Sequence, residues 1–131
     1  MRTSYKLVLA VLAGVSIGVT VARAMNERQV APQPAFLVSE VESIDLTGIQ
    51  KYGEKVPETL APFNGHYHFV IGAGAKIQAL EGEPPKGMVV IAFDNTEKAR
   101  EWYESPAYQA IKPIRLGASK GRMFIVQGVS P

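Results

Sequence analysis

The chain has 131 residues, room for one domain, with 14 basic and 12 acidic residues and no cysteine. The lack of cysteine excludes disulfides, thiolate catalysis and cysteine-based zinc or iron–sulfur centres. A formal charge of +2 without a basic cluster offers nucleic acid no electrostatic footprint.

The N-terminus reads as a leader. Arg2 and Lys6 form a short positive region, and Leu7–Ala22 is uncharged and mostly apolar. Ala22-Arg23-Ala24 then has the small-x-small form that signal peptidase prefers. The apolar stretch is interrupted by Gly14, Ser16, Gly18 and Thr20. It falls short of the roughly 20 uniformly apolar residues that a spanning helix needs. Residues 1–24 are therefore expected to be a signal peptide cleaved after Ala24, leaving a periplasmic or secreted domain. The alternative is an uncleaved leader that anchors the domain to the membrane, facing the periplasm, and no other membrane contact is expected. Cleavage would remove Arg2, Lys6 and Arg23, leaving 11 basic residues against 12 acidic ones and a net charge of −1. Residues 25–34 are polar and end in Pro32-Gln33-Pro34, the composition of a flexible linker.

The folded domain is expected over 35–131. Ala35–Val41 alternates as a strand, with Phe36 and Val38 on one face and Leu37 and Val41 on the other. Asp45 is placed to cap a helix whose inward face carries Ile49, Tyr52, Gly53, Val56, Leu60 and Phe63 at a 3.6-residue period. Pro57 should kink or loosen that helix. Asn64-Gly65 allows a tight reversal into a second strand, His66–Ile71. Strict alternation there puts Tyr67, Phe69 and Ile71 on one face and His66, His68 and Val70 on the other. Glycine- and proline-rich segments bracket Ile77–Leu80, read as an edge extension or hairpin arm. Met88–Phe93 is almost continuously apolar, as in a strand covered on both faces. Asn95 caps a second helix with Ala99, Trp102 and Tyr103 inward, and Ser105-Pro106 starts a third with Tyr108, Ile111, Arg115 and Ala118 inward. Gly121 turns the chain into a last strand, Arg122–Gln127.

The order is β-α-β-β-α-β with an extra helical turn, which specifies an α+β fold. It predicts a four-stranded antiparallel sheet with its helices on one face. The strands carry apolar residues on the other face as well. A second copy packing sheet on sheet would cover them, so a homodimer is expected. Several segments resemble one known family: Asn64-Gly65-His66-Tyr67, Glu81-Gly82, the strand Met88–Phe93 and above all Trp102-Tyr103-x-Ser105-Pro106-x-Tyr108. The family is the one catalogued as "domain of unknown function 1330", and the resemblance covers about Ala35 to Gln127. It implies a ferredoxin-like domain that pairs into a dimeric α+β barrel, and it implies no particular reaction.

Candidate chemistry is spread along the domain. Tyr52, Tyr67, Trp102, Tyr103 and Tyr108 are either core aromatics with satisfied polar tips or the lining of a small-ligand pocket. Arg115, inward on its helix, needs an anion, supplied by a protein carboxylate such as Glu81 or by a ligand. His66, Tyr67 and Glu81 form a candidate proton-transfer set if burial raises the carboxylate's pKa. The His66 and His68 pair leaves one strand face and could chelate a metal if a third ligand such as Glu40 or Glu81 converged; no carboxylate stands at a fixed spacing to it, so no metal site is expected. Without a nucleotide-type glycine motif or a serine-hydrolase pattern, no cofactor is expected either. Three functions follow: a module binding a small organic ligand between sheet and helices, a cofactor-independent oxygenase- or isomerase-like enzyme, and a purely structural dimer. The binder is preferred, because no acid–base pair is fixed by spacing.

Overall fold

The computed structural model describes residues 33–72 and 76–129. The expected signal peptide, nearly all of the linker and Ala73–Ala75 lie outside the described residues. Among the described residues there are four strands: β1 (Ala35–Ser43), β2 (His66–Ile71), β3 (Met88–Phe93) and β4 (Ser119–Gln127). Helix α1 (Leu46–Leu60) lies between β1 and β2, and α2 (Thr96–Glu104) and α3 (Pro106–Ala118) lie between β3 and β4. All pairings are antiparallel and the spatial order is β2-β3-β1-β4. This is the expected ferredoxin-like α+β sheet.

The helices form where their apolar stripes have a 3.6-residue period, and those stripes are what they bury. Tyr108, Ile111, Arg115 and Ala118 are the buried residues of α3, and Ala99 and Trp102 those of α2. Leu37 of β1 with Ile91 and Phe93 of β3 receive them, joined by Val56 and Leu60 of α1. Asn95 caps α2 by accepting from the Lys98 amide at 2.8 Å. Ser105 closes α2 and opens α3: its Oγ donates to the Trp102 carbonyl at 2.7 Å and accepts from the Tyr108 amide at 3.3 Å. The Trp102 indole N–H donates to Thr59 Oγ1 at 2.9 Å, which ties α2 to the end of α1.

The helix α1 continues through Pro57, which is exposed. Four local expectations are corrected. Asp45 occupies the N-cap position of α1, but its side chain makes no capping bond. Ile77–Leu80 forms no strand, and Leu80 is almost wholly exposed. Gly121 lies inside β4 opposite Val41, because β1 runs on to Ser43 and pairs with the strand from Ser119. Its φ of 151° and a virtual Cβ 1.9 Å from the Glu40 carbonyl leave space for hydrogen alone.

The fourth correction reaches the site. In β2, Tyr67 stands opposite Ile91 and Phe69 opposite Val90, so His68 is an extra, bulged residue. A bulge shifts the side-chain phase by one. Phe69 therefore turns away from the helices with His66 and His68, and Val70 joins Tyr67 on the helix side. His68 packs edge-on against Phe36, ring centroids 5.4 Å apart. On that helix-free face Phe69, Phe124 and Val126 are exposed beside half-buried Phe36 and Val38. A bidentate Arg122–Glu40 pair, at 2.6 and 3.1 Å, marks its polar end.

Candidate functional site

A cavity of about 470 Å³ opens between the sheet and α1. Its floor is the helix-facing side of the sheet: Leu37 and Ser39 of β1, Val89 and Ile91 of β3, and Met123 of β4. Ile49, Tyr52 and Gly53 of α1 form one wall, and Tyr67 and Val70 of β2 form the other. Arg115 enters from α3, and exposed Glu42 and Lys86 stand at the rim. Gly53 leaves α1 without a side chain along this wall, and a Cβ there would meet nothing within 4 Å.

Three of the sequence-derived site residues, Tyr52, Tyr67 and Arg115, meet at this cavity. Tyr108 is completely buried one layer behind them. Its hydroxyl accepts from Arg115 Nε at 3.3 Å and lies 3.2 Å from the Tyr52 hydroxyl. Tyr108 thus orients the lining without forming it. Trp102 is also completely buried, its ring centroid 4.1 Å from that of Tyr108, and acts as core. Tyr103 lies outside the cavity, its ring under Lys112 Nζ at 4.8 Å.

Burial pushes the Tyr52 hydroxyl far above the ordinary tyrosine range; the neighbouring Tyr108 adds to the shift, and the Arg115 charge opposes it. Burial raises Tyr67 as well. Both phenols stay protonated at physiological pH and serve as hydrogen-bond donors rather than bases.

The proposed proton-transfer set does not assemble. His66 is exposed on β2, its Nδ1 3.4 Å from the Asn64 carbonyl, and Glu81 is exposed in the β2–β3 connection. Neither lines the cavity, and Glu81 makes no ion pair with Arg115. Strand alternation already puts His66 and Tyr67 on opposite faces, and Glu81 sits on a loop whose path has no local code. His66 and His68 share a face, but Glu40 is committed to Arg122. Among the described residues no three His, Asp or Glu side chains converge as a metal site.

Ser39, Gly53, Val70 and Met123 are lining residues that the sequence reading missed. Ser39 had a signal: it is a polar residue at a helix-facing position between Leu37 and Val41. Val70 had none, since only the bulge brings it to this side.

Residues 34–129 match the family described as a domain of unknown function, DUF1330. The chain belongs to that family. No curated protein matches it. The DUF1330 domain is similar in structure to a protein of unknown function from Rhodopseudomonas palustris, with a TM-score of 0.58 at 13% identity over 87% of this chain and 94% of that one. It is also similar to SnoaB, a cofactor-independent oxygenase from Streptomyces nogalater, with a TM-score of 0.51 at 8% identity over 76% and 96% of the two chains. A hypothetical Arabidopsis thaliana protein gives a TM-score of 0.51 at 16% identity over 77% and 91%. At these identities the likeness is one of fold.

Proposed function

We propose that this protein is an exported, homodimeric binder of a small organic molecule held between the sheet and α1. The observation that carries the reading is the cavity itself. Its volume of about 470 Å³ falls in the range of small-molecule sites, roughly 300–1,000 Å³. Its walls are mainly apolar, and Tyr52 and Tyr67 supply a few fixed donors, the combination that buries and orients a small ligand. Pairing is supported by the helix-free apolar face around Phe69, Phe124 and Val126, which a second sheet would cover. Export is supported by the basic, apolar and small-x-small order of residues 1–24.

Native mass spectrometry of protein taken from its own cell envelope tests all three parts. The expected species is a dimer of chains beginning at Met25 that carries a retained small molecule. Gly53→Trp, which fills the cavity from α1, should release that molecule and leave the dimer intact. Retention in the Gly53→Trp protein would place the ligand elsewhere and end the reading. Phe124→Glu should yield monomers by light scattering, and an unchanged mass would remove the sheet face from the interface.

A cofactor-independent enzyme is the second reading, because the fold is shared with an oxygenase of that kind. Of the three candidate proton-transfer residues only Tyr67 reaches the cavity, so the binder stands first.

A further inference from the structure

Two buried polar side chains that line the cavity carry polar atoms without a protein partner among the described residues. Arg115 is 9% exposed, and Tyr108 holds its Nε. Its two terminal nitrogens have no hydrogen-bond acceptor among the described residues. The ion pairs there are Lys98–Glu101 and Arg122–Glu40, so no carboxylate neutralises it. Ser39 is 4% exposed, and its hydroxyl has no partner in the same set. No side-chain nitrogen or oxygen among the described residues is both fully enclosed and unbonded. The free ends of Arg115 and Ser39 therefore open into the cavity that both residues line.

A guanidinium removed from bulk water and left without a counter-charge is costly. Protein architecture normally supplies the anion; among the described residues no carboxylate does so here. Tyr108 fixes the plane of the fork through Nε, which leaves the terminal pair in the geometry that grips a carboxylate with two parallel bonds. The protonated Tyr52 and the Ser39 hydroxyl border the same space and can donate to the outer lone pairs.

We infer that the cavity takes a small organic monocarboxylate, its carboxylate held by Arg115 and its apolar body lying on Leu37, Val89, Ile91 and Met123. This rests on the ligand-binding reading above and adds the charge class of the ligand. One buried cation balances one negative charge; a dianion such as a phosphate monoester would leave its second charge buried and unpaired. The rim supports the same count, because Glu42 and Lys86 carry opposite charges and add no net field.

Matched acid and amide pairs test the inference by titration calorimetry: hexanoate with hexanamide, benzoate with benzamide, 2-naphthoate with 2-naphthamide. Each pair keeps shape and removes the charge. The best-fitting acid should bind about tenfold or more tightly than its amide, the scale expected for a charge-assisted bidentate contact. Arg115→Gln should abolish the preference while the amide still binds, and Gly53→Trp should weaken both members. Acid and amide binding within about twofold in the wild type would overturn the carboxylate assignment and leave the pocket reading in place, and this comparison does not depend on whether Arg115→Gln folds. Binding of neither member of any pair, or binding unaffected by Gly53→Trp, would overturn the pocket reading and the inference together.

Discussion

Replacing Tyr108 by Phe removes one oxygen from the layer behind the cavity and keeps the ring in place. The ring packs with centroids 4.1 Å from Trp102, 5.4 Å from Tyr103 and 6.5 Å from Tyr52, and Phe retains those contacts. The lost hydroxyl accepts from Arg115 Nε at 3.3 Å and meets the Tyr52 hydroxyl at 3.2 Å. A bond from a charged donor contributes about 1.5–3 kcal/mol and a neutral one about 0.5–1.5 kcal/mol. Both distances are long for their type, and both partners border a cavity where water can replace the lost hydroxyl. The lower ends apply, giving a net loss of about 2 kcal/mol. Urea unfolding at neutral pH and fixed protein concentration measures it, as a lower midpoint with an unchanged slope. In an Arg115→Met background the same substitution should cost only the Tyr52 share, about 0.5 kcal/mol. Strict additivity in that double-mutant cycle would refute the claim that Tyr108 holds the guanidinium in position.

Three further outcomes follow from the geometry. Gly121→Ala forces a side chain against the Glu40 carbonyl at a φ that disfavours it, and should cost about 2–4 kcal/mol by denaturant titration; a neutral result would mean that β4 has a different register there. Ser105→Ala removes the shared cap of α2 and α3 and should cost about 1 kcal/mol, with Ser105→Asn recovering most of it. Hydrogen bonds from Arg122 hold the Glu40 carboxyl below the ordinary carboxylate range. Because this folded-state pKa is depressed, the pair's contribution is complete above the unfolded value of about 4.5 and fades as pH falls through the folded one. Stability curves of the wild type and Glu40→Gln should therefore converge on acidification below that range, and a constant offset down to strongly acidic pH would contradict the pairing.

What the sequence determined by itself is local periodicity and punctuation. The inward faces of α2 and α3, the caps at Asn95 and Ser105, and the strands at Ala35, His66 and Met88 are readable because each is specified within a turn or two of chain. Their order then leaves few topologies, and the ferredoxin-like sheet is the one that buries the helix stripes. The spacing could also mark Arg115 as inward, but not say what it meets.

The site itself was decided by tertiary structure. The Tyr52–Tyr108 contact joins residues 56 apart in sequence, and no local rule brings those two hydroxyls together. Among five candidate aromatics, only packing separates Trp102 and Tyr108, consumed in the core, from Tyr52 and Tyr67 at the cavity wall. The bulge at His68 shows the limit most sharply. One unpaired residue reverses the strand's phase, and whether a strand bulges depends on how its partner's ladder is satisfied across the sheet. Periodicity says which side chains leave a common face of an element; which faces converge on empty space follows from long-range packing alone.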